Sequence, residues 1–79
     1  MSKVERAMVI LLRDAHFLRL RSTSDGGYRI QYTDGLTQIA TEAPSLSECL
    51  IRLGRQLESM NETKGLGMAI SSIMTERGV

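Results

Sequence analysis

The feature that most constrains this chain is a pair of aspartate–glycine turns set between three short segments of alternating polarity. Asp25-Gly26-Gly27 supplies residues that tolerate positive φ, and Asp34-Gly35 is a two-residue hairpin signal. Before the first turn, His16 to Arg21 alternates. Leu18 and Leu20 face one way, and Phe17, Arg19 and Arg21 face the other. Between the turns, Tyr28-Arg29-Ile30-Gln31-Tyr32 alternates again, and Leu36 to Thr41 follows as a third segment. Connections this short join antiparallel neighbours, so the middle of the chain is expected to be a three-stranded meander.

Register follows from burial. With Asp34 and Gly35 as the loop residues, Thr33 pairs with Leu36, Tyr32 with Thr37 and Ile30 with Ile39, which puts the two isoleucines side by side. In the first hairpin a two-residue loop would set Arg21 opposite Ile30 and mix the faces. An odd-length loop sets Leu20 opposite Ile30 and Arg21 opposite Arg29. A three- or five-residue connection with a glycine bulge is therefore expected.

Helices flank the meander. Ser2-Lys3-Val4-Glu5 fits a capping box, and Val4, Met8, Leu11, Leu12 and Ala15 form an amphipathic stripe. Pro44 cannot extend the third strand. Ser45-Leu46-Ser47-Glu48 fits a second capping box, ahead of a stripe of Leu46, Cys49, Leu50, Leu53, Leu57 and Met60. After a break at Asn61 to Lys64, Leu66, Ile70, Ile73 and Met74 predict a third helix stopped by Gly78, with Gly65 and Gly67 weakening its first turn. The expected fold class is α+β, in the order α-β-β-β-α-α. One small domain would cover residues 1–79, its antiparallel meander packed on one face by helices.

Composition narrows the class. The chain is 42% hydrophobic and 24% charged, which excludes a disordered tail, a collagen-like chain and a membrane span. Its net charge of +1 makes no strong field toward DNA or anionic lipid. The single cysteine, Cys49, allows no internal disulfide. The apolar run Ala7 to Leu12 is too short for a signal sequence, so a reducing, cytoplasmic location is expected. Aromatic residues make up only 4%, yet aliphatic side chains exceed what so small a core easily hides. Val9, Ile10 and Ile51 fall outside the helical stripes, and Phe17 and Leu36 are expected on the open sheet face. Either the third helix covers some of them or they form an apolar contact patch, with Val9, Ile10 and Ile51 as an oligomer interface and a homodimer as the related expectation.

Residues suited to chemistry are few. His16 is the lone histidine. A nucleophile–base pair needs Ser or Cys within hydrogen-bond reach of that ring, but Cys49 lies on an apolar helical stripe, where a thiol is buried and inert. There is no Cys/His cluster or close carboxylate set for a metal. Gly26-Gly27 is a turn rather than a phosphate loop, and Gly65-Leu66-Gly67 lacks a third glycine and a preceding strand. No enzyme activity, cofactor or metal is expected.

The open sheet face carries more information. Arg19, Arg21 and Arg29 should share it with Gln31 and Gln38. Arg21 beside Arg29 is a like-charge pair that costs stability unless an anion sits between them, whether a partner carboxylate, a phosphate, or Asp25 at the turn; the alternative is a simply solvated polar face. Eight of the ten basic residues are arginine, which binds carboxylate or phosphate through two parallel hydrogen bonds. Tyr28 and Tyr32 would serve as base-stacking platforms only on that face. They share the face of Ile30 instead, and are expected to be buried.

Two family resemblances attach to these segments. The order α-β-β-β-α is similar to the double-stranded RNA-binding domain. That family grips phosphate with lysines at the start of its last helix, where this chain has Ser45-Leu46-Ser47-Glu48-Cys49, so RNA binding is not implied. Gly27 to Leu57, with Tyr28 to Tyr32, Asp34-Gly35, Leu36 to Thr41 and Ser45 to Glu48, resembles the β-β-α part of HicB-type antitoxins but lacks their Pro-Gly-Cys segment. No family follows from either. The expected function is a small non-catalytic module that binds a protein partner stoichiometrically, as phage and mobile-element inhibitors of host complexes do, anti-CRISPR proteins among them. Its partner-binding residues would be Arg19, Arg21, Arg29, Gln31, Phe17 and Leu36. The alternative is a nucleic-acid-binding or antitoxin-like regulator using the same arginines.

Overall fold

A computed structural model describes residues 1–76. The elements run α1 (Lys3–Asp14), β1 (Phe17–Ser22), β2 (Tyr28–Thr33), β3 (Gln38–Ala43), α2 (Leu46–Glu58) and α3 (Lys64–Thr75). The three strands form one antiparallel sheet in the order β1-β2-β3, with helices on one face. This is the α+β fold expected from the sequence, in the expected order. Gly78, the expected stop of α3, lies outside the described residues. No helix among the described residues is long and apolar enough to cross a membrane.

The first hairpin has the expected register. Leu20 pairs with Ile30 and Arg21 with Arg29 across a five-residue connection, Thr23 to Gly27, in which Gly26 has φ of +87°. The second hairpin differs. Ile30 pairs with Thr41 and Tyr32 with Ile39, two positions away from the expected register. Asp34 N–H donates to the Thr37 carbonyl (3.2 Å), so the turn tip is Gly35-Leu36 rather than Asp34-Gly35. An Asp-Gly tip would need positive φ at both residues, whereas a glycine-first tip needs it only at the glycine. Gly35 has φ of +93°, and among the described residues no non-glycine has positive φ. Asp34 Oδ1 fastens this arrangement by accepting from the N–H groups of Leu36 (2.9 Å) and Thr37 (2.8 Å). Those bonds hold its carboxyl below the usual aspartate range.

Both helix starts use a serine cap. Ser2 and Glu5 form the full reciprocal box. Ser45 accepts from Glu48 N–H (3.1 Å), but Glu48 pairs with Arg52 (3.4 Å) and so does not complete the second box. In α1 the buried arc is rotated toward Ala7 and Ile10, which leaves Leu12 exposed. In α2 the expected stripe is buried at Cys49, Leu50, Leu53 and Leu57, while Met60 lies beyond the helix and is exposed.

The helical layer is lopsided. α2 lies over β2 and β3, α3 packs on α2 and α1, and the backbone of α3 approaches no strand. α3 sits close to α2 because Gly67 has no side chain. A Cβ there would lie 2.2 Å from Glu58 N and 2.7 Å from the Gly54 carbonyl oxygen. Gly67 is therefore a packing residue, not simply the weak helix former expected from the sequence. Thr63, at the N-cap of α3, is buried and donates to the Leu57 carbonyl (2.8 Å), tying the end of one helix to the start of the next.

The two glycines of α3 should respond oppositely to alanine. Gly67→Ala must push two backbones apart and should lower Tm by roughly 10 °C or more in a chain this size. A Cβ at Gly65 meets nothing within 4 Å, so Gly65→Ala should raise stability by about 0.5–1 kcal/mol through helix propensity. Thermal melts followed by circular dichroism would measure both.

Candidate functional site

The open face of the sheet is built from three rows of paired residues. Phe17, Thr33 and Gln38 form one end, Arg19, Gln31 and Ala40 the middle, and Arg21, Arg29 and Glu42 the other end. Alternation along each strand places all nine on the face away from the buried Ile30 and Tyr32. Phe17 is 53% exposed. With Gln31, Thr33, Gln38 and Ala40 it borders a shallow depression of about 340 Å³. One end of the face is thus apolar and amide-bearing, and the other is charged.

The arginines are not equivalent. Arg29 Nη1 donates to Glu42 Oε2 at 2.7 Å, so an internal carboxylate relieves the like-charge contact between Arg21 and Arg29. Sequence reasoning missed Glu42 because the expected register set Ala40 opposite Arg29. The opportunity to place a charge pair across the strands was the available signal. Asp25, the internal candidate named from sequence, is occupied within its own turn. It accepts from the Thr23 hydroxyl and Gly27 N–H, which lower its pKa. Arg19 and Arg21 are exposed, and no ion pair among the described residues involves them.

Other sequence-predicted residues are distributed differently. Gln31 and Phe17 sit on the open face as expected. Leu36 does not. The two-position shift puts it at the turn tip, 85% exposed, where it borders a recess with Asp14, Asp34 and Glu62. Ile10 and Ile51 pack against the core, and only Val9 of that trio is exposed. Tyr32 is buried as expected, whereas Tyr28 at the hairpin end is partly exposed. Leu20, expected on the core face, is on that face yet 43% exposed, because only α1 approaches β1 and it does so sparingly.

Cys49 is fully buried, and its thiol donates to the Thr41 carbonyl at 3.2 Å. Burial pushes its pKa up, away from the reactive thiolate. His16 lies on the exposed surface, its ring about 3.1 Å from where a Cβ on Gly35 would stand. Among the described residues no group of three His, Cys, Asp or Glu is placed to hold a metal ion.

Comparison with known proteins gives no matching family model, no matching curated relative and no matching solved structure.

Two measurements check the buried groups beneath this face. Cys49 should resist a thiol reagent in the native state and react fully in denaturant. Rapid native modification would contradict its burial. Burial pushes the Tyr32 hydroxyl up to about 12, helped by the nearby Asp34 and Asp14 charges. The unfolded chain loses that proton near pH 10, and the folded chain holds it longer. Stability from this group is therefore complete below pH 10 and is lost as pH rises through 12. Denaturant melts of wild type and Tyr32→Phe should show a stability difference that changes with pH only in that alkaline window.

Proposed function

We propose that this chain is a small non-catalytic interaction module that binds a protein partner stoichiometrically through the arginine-bearing sheet face. The supporting observation is a contrast on that face: Arg29 is paired with Glu42, while Arg21 beside it and the neighbouring Arg19 are exposed and form no ion pair among the described residues. Two unpaired guanidiniums beside an exposed Phe17 and a shallow amide-lined depression combine charge and apolar area, the pattern of a protein contact. Such a module acts by occlusion: it covers a surface of its partner rather than changing it chemically. A protein partner fits better than a phosphate backbone, because Glu42 sets a carboxylate on the same face and leaves only two open cations.

The test is a tagged chain recovered from the cells that carry it, compared with the Arg19→Glu, Arg21→Glu double variant. The bound protein should be lost from the variant, whose melt should match wild type. A partner retained by the folded variant places binding elsewhere. Labelled DNA and RNA provide the rival outcome. Binding that falls by orders of magnitude from low to moderate salt would replace the protein reading with a nucleic-acid one.

A further inference from the structure

The ladder between β1 and β2 determines which backbone groups β1 presents outward. Thr23 N–H donates to the Gly27 carbonyl (2.9 Å) at the mouth of the hairpin. Bonded and non-bonded pairs alternate in an antiparallel ladder, so Arg21 with Arg29 and Arg19 with Gln31 are bonded pairs. The N–H and C=O groups of Leu18, Leu20 and Ser22 therefore point to the outer edge. All of β1 except Leu18 is exposed. The other edge is different. On β3 the outward groups belong to Gln38, Ala40 and Glu42; α2 lies along that strand, and Arg52 Nη1 already donates to the Glu42 carbonyl at 2.9 Å.

A bare edge strand attracts other strands, and its side chains select among them. On β1, Arg19 and Arg21 stand on one face with no ion pair among the described residues, and Leu18 and Leu20 stand on the other. Edge-to-edge pairing with a second copy centred on Leu20 would set Arg19 of each chain opposite Arg21 of the other. Like charges directly opposite are destabilising. A strand with acidic residues at alternate positions would instead meet both guanidiniums and lay its intervening apolar residues beside Leu18 and Leu20. We propose that β1 takes up an extended, alternately acidic segment of a partner protein as a fourth strand. This rests on the protein-binding reading above and names its mode.

The experiment uses the full chain and a short synthetic peptide that alternates glutamate with valine. Amide exchange is followed by NMR. In the free chain Arg19 and Arg21 amides should be protected, while those of Leu18, Leu20 and Ser22 should exchange quickly. Saturating peptide should slow these three, and a lysine-for-glutamate peptide should not. Leu20→Pro removes an outward N–H without touching the β1–β2 ladder, and should weaken peptide binding by about tenfold or more, as should Arg19→Glu with Arg21→Glu. Should Leu20→Pro fail to fold, the exchange pattern and the charge reversal decide. Peptide binding lost on charge reversal, but with Leu18, Leu20 and Ser22 still exchanging quickly, would keep the arginine face and overturn strand addition. No binding at millimolar peptide would overturn the proposal, while the partner-recovery experiment judges the broader reading independently. Concentration-dependent protection of the three amides without peptide would assign the edge to a second copy, and binding of a thymidine oligonucleotide instead of the peptide would assign it to nucleic acid.

Discussion

The layout of the molecule depends on one steric fact, the absence of a side chain at Gly67. It lets α3 lie against α2 with backbone nearly touching backbone at Glu58 and Gly54. α3 is thereby held beside α2, away from the sheet, and α1 packs on α3. Three helices then cover little more than two strands. β1 gains almost no cover, although it carries Leu18 and Leu20 on the face where a helix would sit. The exposure of Leu20 follows from where the helices pack, not from a shortage of helix.

Electrostatics on the opposite face follow from a second local choice. Asp34 uses its carboxylate to cap its own turn, which moves the tip to Gly35-Leu36 and the pairing by two residues. Glu42 arrives opposite Arg29, so one arginine of this face is neutralised, while Arg19 and Arg21 have no ion pair among the described residues. Near-neutral net charge hides this arrangement. The acids Asp14, Asp34 and Glu62 border a separate recess, leaving Arg19 and Arg21 as a local positive site.

Much of this was readable from residue types. The alternation about Ile30, the two turns and the serine caps led to the meander, its faces and the helix starts, since each rests on local geometry. Most of what escaped was decided at a distance. Gly67 read as a weak helix former because its benefit lies on another helix. Ile10 and Ile51 read as surplus because stripes drawn on isolated wheels ignore the neighbour to which each helix turns. Leu36 read as a strand residue because an Asp-Gly tip was favoured over a Gly-Leu one, and the side-chain cap that settles the choice is invisible to spacing rules. The open-face arginines were found because strand alternation alone places them, but their inequivalence needed the true register.

The turn shift has a further consequence for how such a surface can change over time. Side chains in a strand repeat every two residues, so a two-residue offset between β2 and β3 leaves every buried position buried. It re-pairs only what lies across the strands. Loss or gain of two residues in one arm of the hairpin, between a retained Gly35-Leu36 turn and β3, would leave Ile30 and Tyr32 inside while giving Arg29 a new neighbour. Recognition on this face can therefore be rewritten by a small even-numbered insertion or deletion, with no substitution in the core and none among the arginines.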